Sequence, residues 1–256
     1  MNGRLESVAL AGLPEVAEGD LVGELVAAAA TEAGVTLADG EVVVVSQKIV
    51  SKAEGRVRDL ATVEPGERAV ELAAEIDRDP RLVELVLGES KRIVRATAAA
   101  LIVETHDGWV CANAGIDASN LPGDDSVALL PLDADASARR IRAEIASAAG
   151  GVRPAVLVAD SFGRPWRLGQ TEVAIGCAGL ATLDDWRGRP DAQGRELAAT
   201  SIAVADQLAG AADLARAKDS GQPAVVISGA EHLWTSDDGP GAAATLQRPA
   251  TDDLFR

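Results

Sequence analysis

Three stretches of this sequence hold residues whose types and spacing could handle a phosphorylated, acidic substrate. The most specific is Val158-Ala-Asp160-Ser161-Phe162-Gly163-Arg164-Pro-Trp166-Arg167-Leu-Gly169-Gln-Thr171. A carboxylate at the end of a buried strand, followed by a hydroxyl, makes Asp160 and Ser161 a hard-cation ligand pair, since Mg²⁺ and Mn²⁺ prefer oxygen donors and bring phosphates with them. Arg164 and Arg167 follow in what reads as one loop, and their guanidinium groups could fork onto phosphate or carboxylate. A plain surface loop is the competing reading; Trp166 and the flanking glycines, which restrict the loop, favour function. The second stretch runs from Ser46 to Arg56. Lys48, Lys52 and Arg56 are spaced four apart, so on a helical turn they would share one face at the carboxyl end of a strand and attract phosphate. Taken alone, such a run is more often a solvated face paired with local acids. The third is Cys111-Ala-Asn113-Ala-Gly115-Ile-Asp117-Ala-Ser119-Asn120. Gly115 allows close backbone approach and Asp117 and Asn120 offer oxygen or amide groups, although Asx turns explain such clusters more often than metal does.

The elements needed to position these groups are legible nearby. Leu5 to Leu10 and Val42 to Ser46 read as strands, the second a β-branched run suited to burial on both faces. Between them Asp20 to Ala33 has helical spacing and ends near Gly34. Glu67 to Ile76 and Arg81 to Leu87 read as helices, Arg92 to Thr97 and Leu101 to Thr105 as extended. Ser126 to Leu132 is an apolar strand, Asp135 to Ala149 a helix, and Pro154 to Ala159 a buried strand ending at Asp160. Thr171 to Cys177 alternates weakly, Leu197 to Ala217 is expected as a long Ala-rich helix, and Ala224 to Ile227 as a last strand. Gly188 to Gly194 and Asp237 to Gly241 are loops by composition. The class is mixed α and β, without repeats, low-complexity linkers or a clean domain boundary, so 1–256 reads as one domain or two interleaved lobes.

Composition narrows the function. A formal charge of -16 over 256 residues repels nucleic acid and anionic membrane, and no basic stripe reverses it locally. An anionic small substrate would then need the few Lys and Arg residues gathered at one place. Aromatic residues are only 2% of the chain, so Ala, Val, Leu and Ile must build the core. The longest apolar runs fall far short of the roughly 20 residues a membrane-spanning helix needs. Met1 to Gly12 carries no readable secretory signal, and the expected location is the cytoplasm. Cys111 and Cys177 read as buried reduced thiols, and His106 and His232 as structural or surface residues. Neither a P-loop nor a dinucleotide-binding glycine motif is present, so any phosphate site must be built otherwise.

Read in order, several motifs together resemble the coenzyme F420:L-glutamate ligase family. They are Gly12-Leu13-Pro14-Glu15, Ser51-Lys52-Ala53-Glu54-Gly55-Arg56, Ala114-Gly115-Ile116-Asp117-Ala118-Ser119-Asn120, Leu129-Leu130-Pro131-Leu132-Asp133, Asp160-Ser161-Phe162-Gly163-Arg164 with Trp166-Arg167 and Gly169-Gln170-Thr171, and Asp252-Asp253-Leu254-Phe255-Arg256. The resemblance is to the ligase part of actinobacterial two-domain versions, without the flavin-binding nitroreductase-like domain, and so implies no FMN. It implies an α+β, two-lobed mixed-sheet fold in a homodimer. It also implies a GTP site using Leu13, Pro14, Glu15, Val16, Gln47, Lys48, Lys52 and Asn120, divalent metal (Mg²⁺ or Mn²⁺) on Asp117, Asp160 and Ser161, and K⁺ as a further ion. The implied reaction is GTP-dependent ligation of L-glutamate to coenzyme F420-0 through an acyl phosphate. Asp117 and Asp160 would be catalytic through the metal. Arg164 and Arg167 would orient the acidic coenzyme tail or glutamate, an assignment made from charge and position. One departure stands out: where the family's archaeal enzymes carry a Gln or Glu metal ligand after the long helix, this chain has Lys218. A differently held second metal, a phosphate contact by Lys218 and a one-residue shift of this loop are all compatible with that. Two other functions share the same residues: a metal-dependent phosphohydrolase with water as acceptor, and a non-catalytic nucleotide- or deazaflavin-binding protein.

Overall fold

A computed structural model describes residues 3–121, 123 and 125–253. The strands are β1 (Glu6–Ala9), β2 (Val42–Ser46), β3 (Val57–Asp59), β4 (Ser90–Ala96), β5 (Leu101–Thr105), β6 (Val110–Ala112), β7 (Ser126–Ala128), β8 (Ala155–Arg164), β9 (Arg167–Ala178), β10 (Asp184–Asp185), β11 (Ser201–Ile202) and β12 (Ala224–Ser228). The helices are α1 (Val22–Glu32), α2 (Gln47–Ala53), α3 (Glu67–Ile76), α4 (Pro80–Gly88), α5 (Ala134–Ala148), α6 (Val204–Ala215) and α7 (Ala242–Leu246). The fold is α+β, as expected.

The centre is a five-stranded sheet in the order β1-β12-β2-β8-β9. Only β2 and β8 are parallel neighbours; the other pairings are antiparallel. Because side chains alternate along a strand, the valine run of β2 serves two cores at once. Val43 and Val45 pack with Val156 and Val158 under α1 and α5, while Val42 and Val44 pack with Ala155 and Leu157 under α6. Two glycines allow the close packing on the first face. A Cβ on Gly23 of α1 would lie 2.4 Å from the Ile141 carbonyl oxygen of α5, and one on Gly176 of β9 would lie 2.2 Å from that of Ala134.

A third core gathers α3, α4, β5 and the segment around β7, with Leu72, Val83, Val86, Leu101, Val103, Val127 and Leu129 buried. Helix α4 starts with a Pro at its first turn and Asp79 capping the Arg81 amide at 2.8 Å, a standard way to satisfy an N-terminal donor. This core is tied to the sheet through Arg56, whose backbone carbonyl accepts from the Leu129 amide at 3.0 Å. Its side chain donates to the Leu130 carbonyl at 2.9 Å and pairs with Glu89 at 2.6 Å.

Three sequence expectations change here. The segment 158–171 is a β-hairpin: β8 and β9 keep pairing past Asp160, with Ser161 opposite Glu172 and Gly163 opposite Gln170, and the chain reverses at Trp166, where φ is 58°. The long Ala-rich helix starts at Val204, because residues 197–203 leave it for a loop excursion in which β11 pairs β10. The strand expected over 126–132 ends at Ala128. Leu254, Phe255 and Arg256 of the terminal motif lie outside the described residues.

Candidate functional site

Lys48, Asp117 and Asp160 come together at the carboxyl end of β2, where β8 outruns its neighbour. β2 ends at Ser46, paired with Ala159, so Asp160 and the residues after it project beyond the sheet's edge with only β9 beside them. The first turn of α2 begins at the same end and carries Lys48. Open α/β sheets commonly place ligands at such strand ends.

Asp117 is delivered from the third core. Residues Asn113, Ala114 and Gly115 take φ of 52°, 54° and 71°, a run of left-handed conformations that is costly for the two non-glycine residues. A Cβ on Gly115 would also strike Leu130 at 2.6 Å. After this turn the Asp117 backbone is pinned to β7: its amide donates to the Ala128 carbonyl at 3.1 Å, and the Ala128 amide donates back at 2.8 Å. The side chain is therefore aimed by a fixed backbone.

Lys48 Nζ meets Asp117 Oδ2 at 2.8 Å and donates also to the Ser119 carbonyl at 2.6 Å and Ser119 Oγ at 2.7 Å. Ser119 returns its own amide and hydroxyl to Asp117, both at 2.8 Å. Burial pulls the Asp117 carboxyl upward, but the Lys48 ammonium and the two Ser119 donors outweigh it and leave it below the ordinary carboxylate range. Asp160 has the opposite balance. Burial pushes it up to about 7, eased by the Ser161 amide and raised further by the charges of Glu172 and Asp117. Two neighbouring carboxylates thus differ because only one has a cation in contact.

Lys52, one turn after Lys48, pairs with Glu15 Oε1 at 2.5 Å and donates to the Asn120 carbonyl at 3.2 Å. This gathers Glu15, Lys52 and Asn120 into one spot, with Leu13 and Val16 anchoring the segment in the core and Pro14 exposed beside them. Asn120 is exposed and left-handed, at φ 54°. Gln47 is 1% exposed, and its Oε1 lies 2.9 Å from the Ser51 hydroxyl, so its side chain braces α2 internally. Arg56 does not extend the lysine face: it follows the end of α2 and turns inward to Glu89.

Ser161 Oγ points away from Asp160, as neighbours on a strand must. It donates to Glu172 Oε1 at 2.6 Å and accepts from Lys218 Nζ at 2.5 Å. Arg164 and Arg167 sit at the exposed hairpin turn. Arg164 donates to the Leu168 carbonyl of its own hairpin at 2.5 Å, and the structure does not bring the two arginines into contact with the Asp117 and Asp160 cluster.

Ser119 and Glu172 are site residues that reading by residue type passed over. Ser119 sits between Asp117 and Asn120, and its role follows from the Asx turn that Asp117 makes. Glu172 is an isolated acid in a weakly alternating segment; hairpin register is the signal that would have found it.

These donors fit a hard cation. Asp160, buried and close enough to Asp117 for their charges to interact, has no cation in contact. Among the described residues, no group of three or more His, Cys, Asp and Glu side chains closes around one point. An ion seated on Asp117 and Asp160 would therefore complete its shell with water or substrate oxygens, the usual habit of Mg²⁺.

Fold and site together define an α+β protein in which two lysines and several carboxylates gather at the carboxyl end of a central strand. Residues 12–229 match the F420-0:Gamma-glutamyl ligase family. The coenzyme F420:L-glutamate ligase of Methanothermobacter thermautotrophicus is 42% identical over 251 residues, covering 97% of this chain and 98% of that protein. The enzyme of the same name from Haloarcula marismortui is 45% identical over 230 residues, covering 87% of this chain and 86% of that protein. The one from Methanocaldococcus jannaschii is 40% identical over 219 residues, 85% of each chain. The chain belongs to the F420-0:gamma-glutamyl ligase family and is a ligase. No helix among the described residues is long and apolar enough to cross a membrane.

Proposed function

We propose that this enzyme forms an amide bond between L-glutamate and coenzyme F420-0, driven by GTP with a divalent cation, Mg²⁺ or Mn²⁺. The observation that supports the nucleotide and cation part is the Lys48 ammonium on Asp117 beside Asp160, a buried carboxyl with no cation in contact, at a strand end. The substrates follow from the names of the relatives that span the chain.

A free carboxylate is a poor electrophile, so the coenzyme's terminal carboxylate first attacks the γ-phosphorus of GTP. The new P–O bond gives an acyl phosphate, and GDP leaves. The neutral glutamate amine then attacks the acyl carbon, phosphate departs, and the amine's proton is lost. Lys48 and Lys52 hold the nucleotide phosphates, exchanging their ion pairs with Asp117 and Glu15 for phosphate oxygens. That exchange frees Asp117 to join Asp160 in holding the cation. The cation, when bound, neutralises the charge that develops on the transferring phosphoryl group.

The test is mass spectrometry of the coenzyme after incubation with enzyme, L-glutamate, GTP and Mn²⁺ or Mg²⁺, with each component omitted in turn. Glutamyl addition in the complete mixture alone is expected, and Asp160→Asn should lower its rate about 100-fold or more, the usual scale for losing one transition-state charge contact. An unchanged coenzyme beside GDP release would make the enzyme a phosphohydrolase instead. Equal addition without nucleotide would remove GTP from the reaction.

A further inference from the structure

Behind Asp160, on the other side of the β8–β9 ribbon, lies a charged cluster that the reaction above does not use. Glu172 is 4% exposed, a carboxylate almost wholly withdrawn from water. A buried charge is tolerated when cations and hydrogen bonds compensate it. Arg216 approaches Glu172 Oε2 at 3.5 Å, yet that oxygen has no hydrogen bond. The remaining compensation comes from the Ser161 hydroxyl, 2.6 Å from Oε1, and from Lys218, which reaches in from the loop between α6 and β12. Its ammonium lies 2.5 Å from Ser161 Oγ, 3.2 Å from Glu172 Oε1 and 3.9 Å from Asp213 Oδ1.

Hydroxyl and carboxylate oxygens converging on one point form the donor set a hard cation takes. Here the point is filled by a side chain. We propose that Lys218 is a built-in second cation: its ammonium takes the place a second divalent ion would occupy beside Ser161 and Glu172, and the enzyme binds a single divalent ion. This rests on the reading that a cation binds at Asp117 and Asp160. An ammonium has three donors, and Ser161 and Glu172 engage two. Asp213 lies on the remaining side at 3.9 Å, and the lysine side chain is 71% exposed. Lys218 is thus the permanent counter-charge of Glu172.

The test is titration of the full-length enzyme with MnCl₂ alone, counting bound ions from the loss of the free Mn²⁺ electron paramagnetic resonance signal. The variants are Lys218→Gln, which replaces the cation with a neutral oxygen donor, and Lys218→Arg, which keeps the charge. The expected result is one bound ion in wild type and Lys218→Arg and two in Lys218→Gln. No gain in Lys218→Gln over wild type overturns the inference, as does a wild type that already binds two. A wild-type count of zero overturns the separate reading of Asp117 and Asp160 as a cation site, whatever the variants do.

Discussion

Arg142 offers a quantitative test of how the frame beneath the site is held. Its side chain is fully buried in α5, and its guanidinium is the hub of five contacts. Nε donates to the Pro154 carbonyl at 3.0 Å. One terminal nitrogen donates to the Asp237 carbonyl and to Asp238 Oδ1, both at 2.8 Å. The other donates to the carbonyls of Thr235, at 2.7 Å, and Arg153, at 3.3 Å. Pro154 immediately precedes β8, so this hub fixes where the strand carrying Asp160 and Ser161 begins. Arg142→Met keeps the length and removes all the donors. Asp238 would not be stranded, since Arg153 still reaches it at 3.1 Å and its side chain is 33% exposed. The cost comes from the carbonyls, each losing a donor at about 1–3 kcal/mol when water cannot replace it. With the outer ones partly rehydrated, the net loss should be about 3–5 kcal/mol, as for breaking a buried pair from its buried side. For a chain of this size that is a fall in Tm of roughly 10 °C, read by calorimetry alongside urea unfolding. Arg142→Lys should fall between, because an ammonium cannot reproduce the planar fork. A loss under about 1 kcal/mol in Arg142→Met would refute the assignment of these contacts as the anchor.

Two further outcomes follow from close packing and from burial. Gly176→Ala should destabilise by about 1–3 kcal/mol, measured by urea midpoint, because its Cβ would meet the Ala134 carbonyl oxygen at 2.2 Å and something in the backbone must move. The same shift would disturb Asp135, which accepts from the amides of Cys177 at 2.8 Å and Ala242 at 2.7 Å; an unchanged midpoint would mean that α5 is free to slide. Asp206 is raised from its ordinary 3.8 by burial, against the lowering effect of the Ala174 amide. A raised folded-state value means that the protonated form is the one the fold favours, so its stabilisation is complete below the unfolded value and is lost as pH rises through the folded one. Asp206→Asn should therefore gain Tm relative to wild type as pH rises from 4 to 7.5, and a difference independent of pH would show that Asp206 pays no burial cost.

What could be read from the residues depended on how local its cause was. β2 and α3 have the bounds expected of them, because a β-branched run between turn residues and an amphipathic helix carry their own signals. The hairpin beyond Asp160 was read as a loop because its cause is pairing with a strand whose own pattern is weak: the partner of Ser161 is Glu172, and nothing within either segment announces it. The lysine face was read half correctly for a similar reason. Lys48 and Lys52 have the helical spacing, but Arg56 is claimed by Glu89, an acid of another core.

The same logic separates the two lysines that define the site. Residue type and strand position were enough to single out Asp117, Asp160 and Lys48 as candidates. They could not say which charges neutralise each other, because Lys48 and Asp117 are 69 residues apart and Lys218 and Glu172 are 46 apart. Only the folded arrangement shows that Asp117 and Ser161 are each held by an ammonium, while Asp160 has none in contact. Lys48 can leave Asp117 for phosphate because Ser119 remains there to support the carboxylate. Lys218 has less freedom, because the Glu172 side chain is 4% exposed against 41% for Asp117, and a departing ammonium would leave that buried carboxylate with only the Ser161 hydroxyl on Oε1 and Arg216 at 3.5 Å from an Oε2 that has no hydrogen bond. One lysine is therefore placed to exchange partners as substrate binds and the other to stay, a difference in role that their shared residue type conceals.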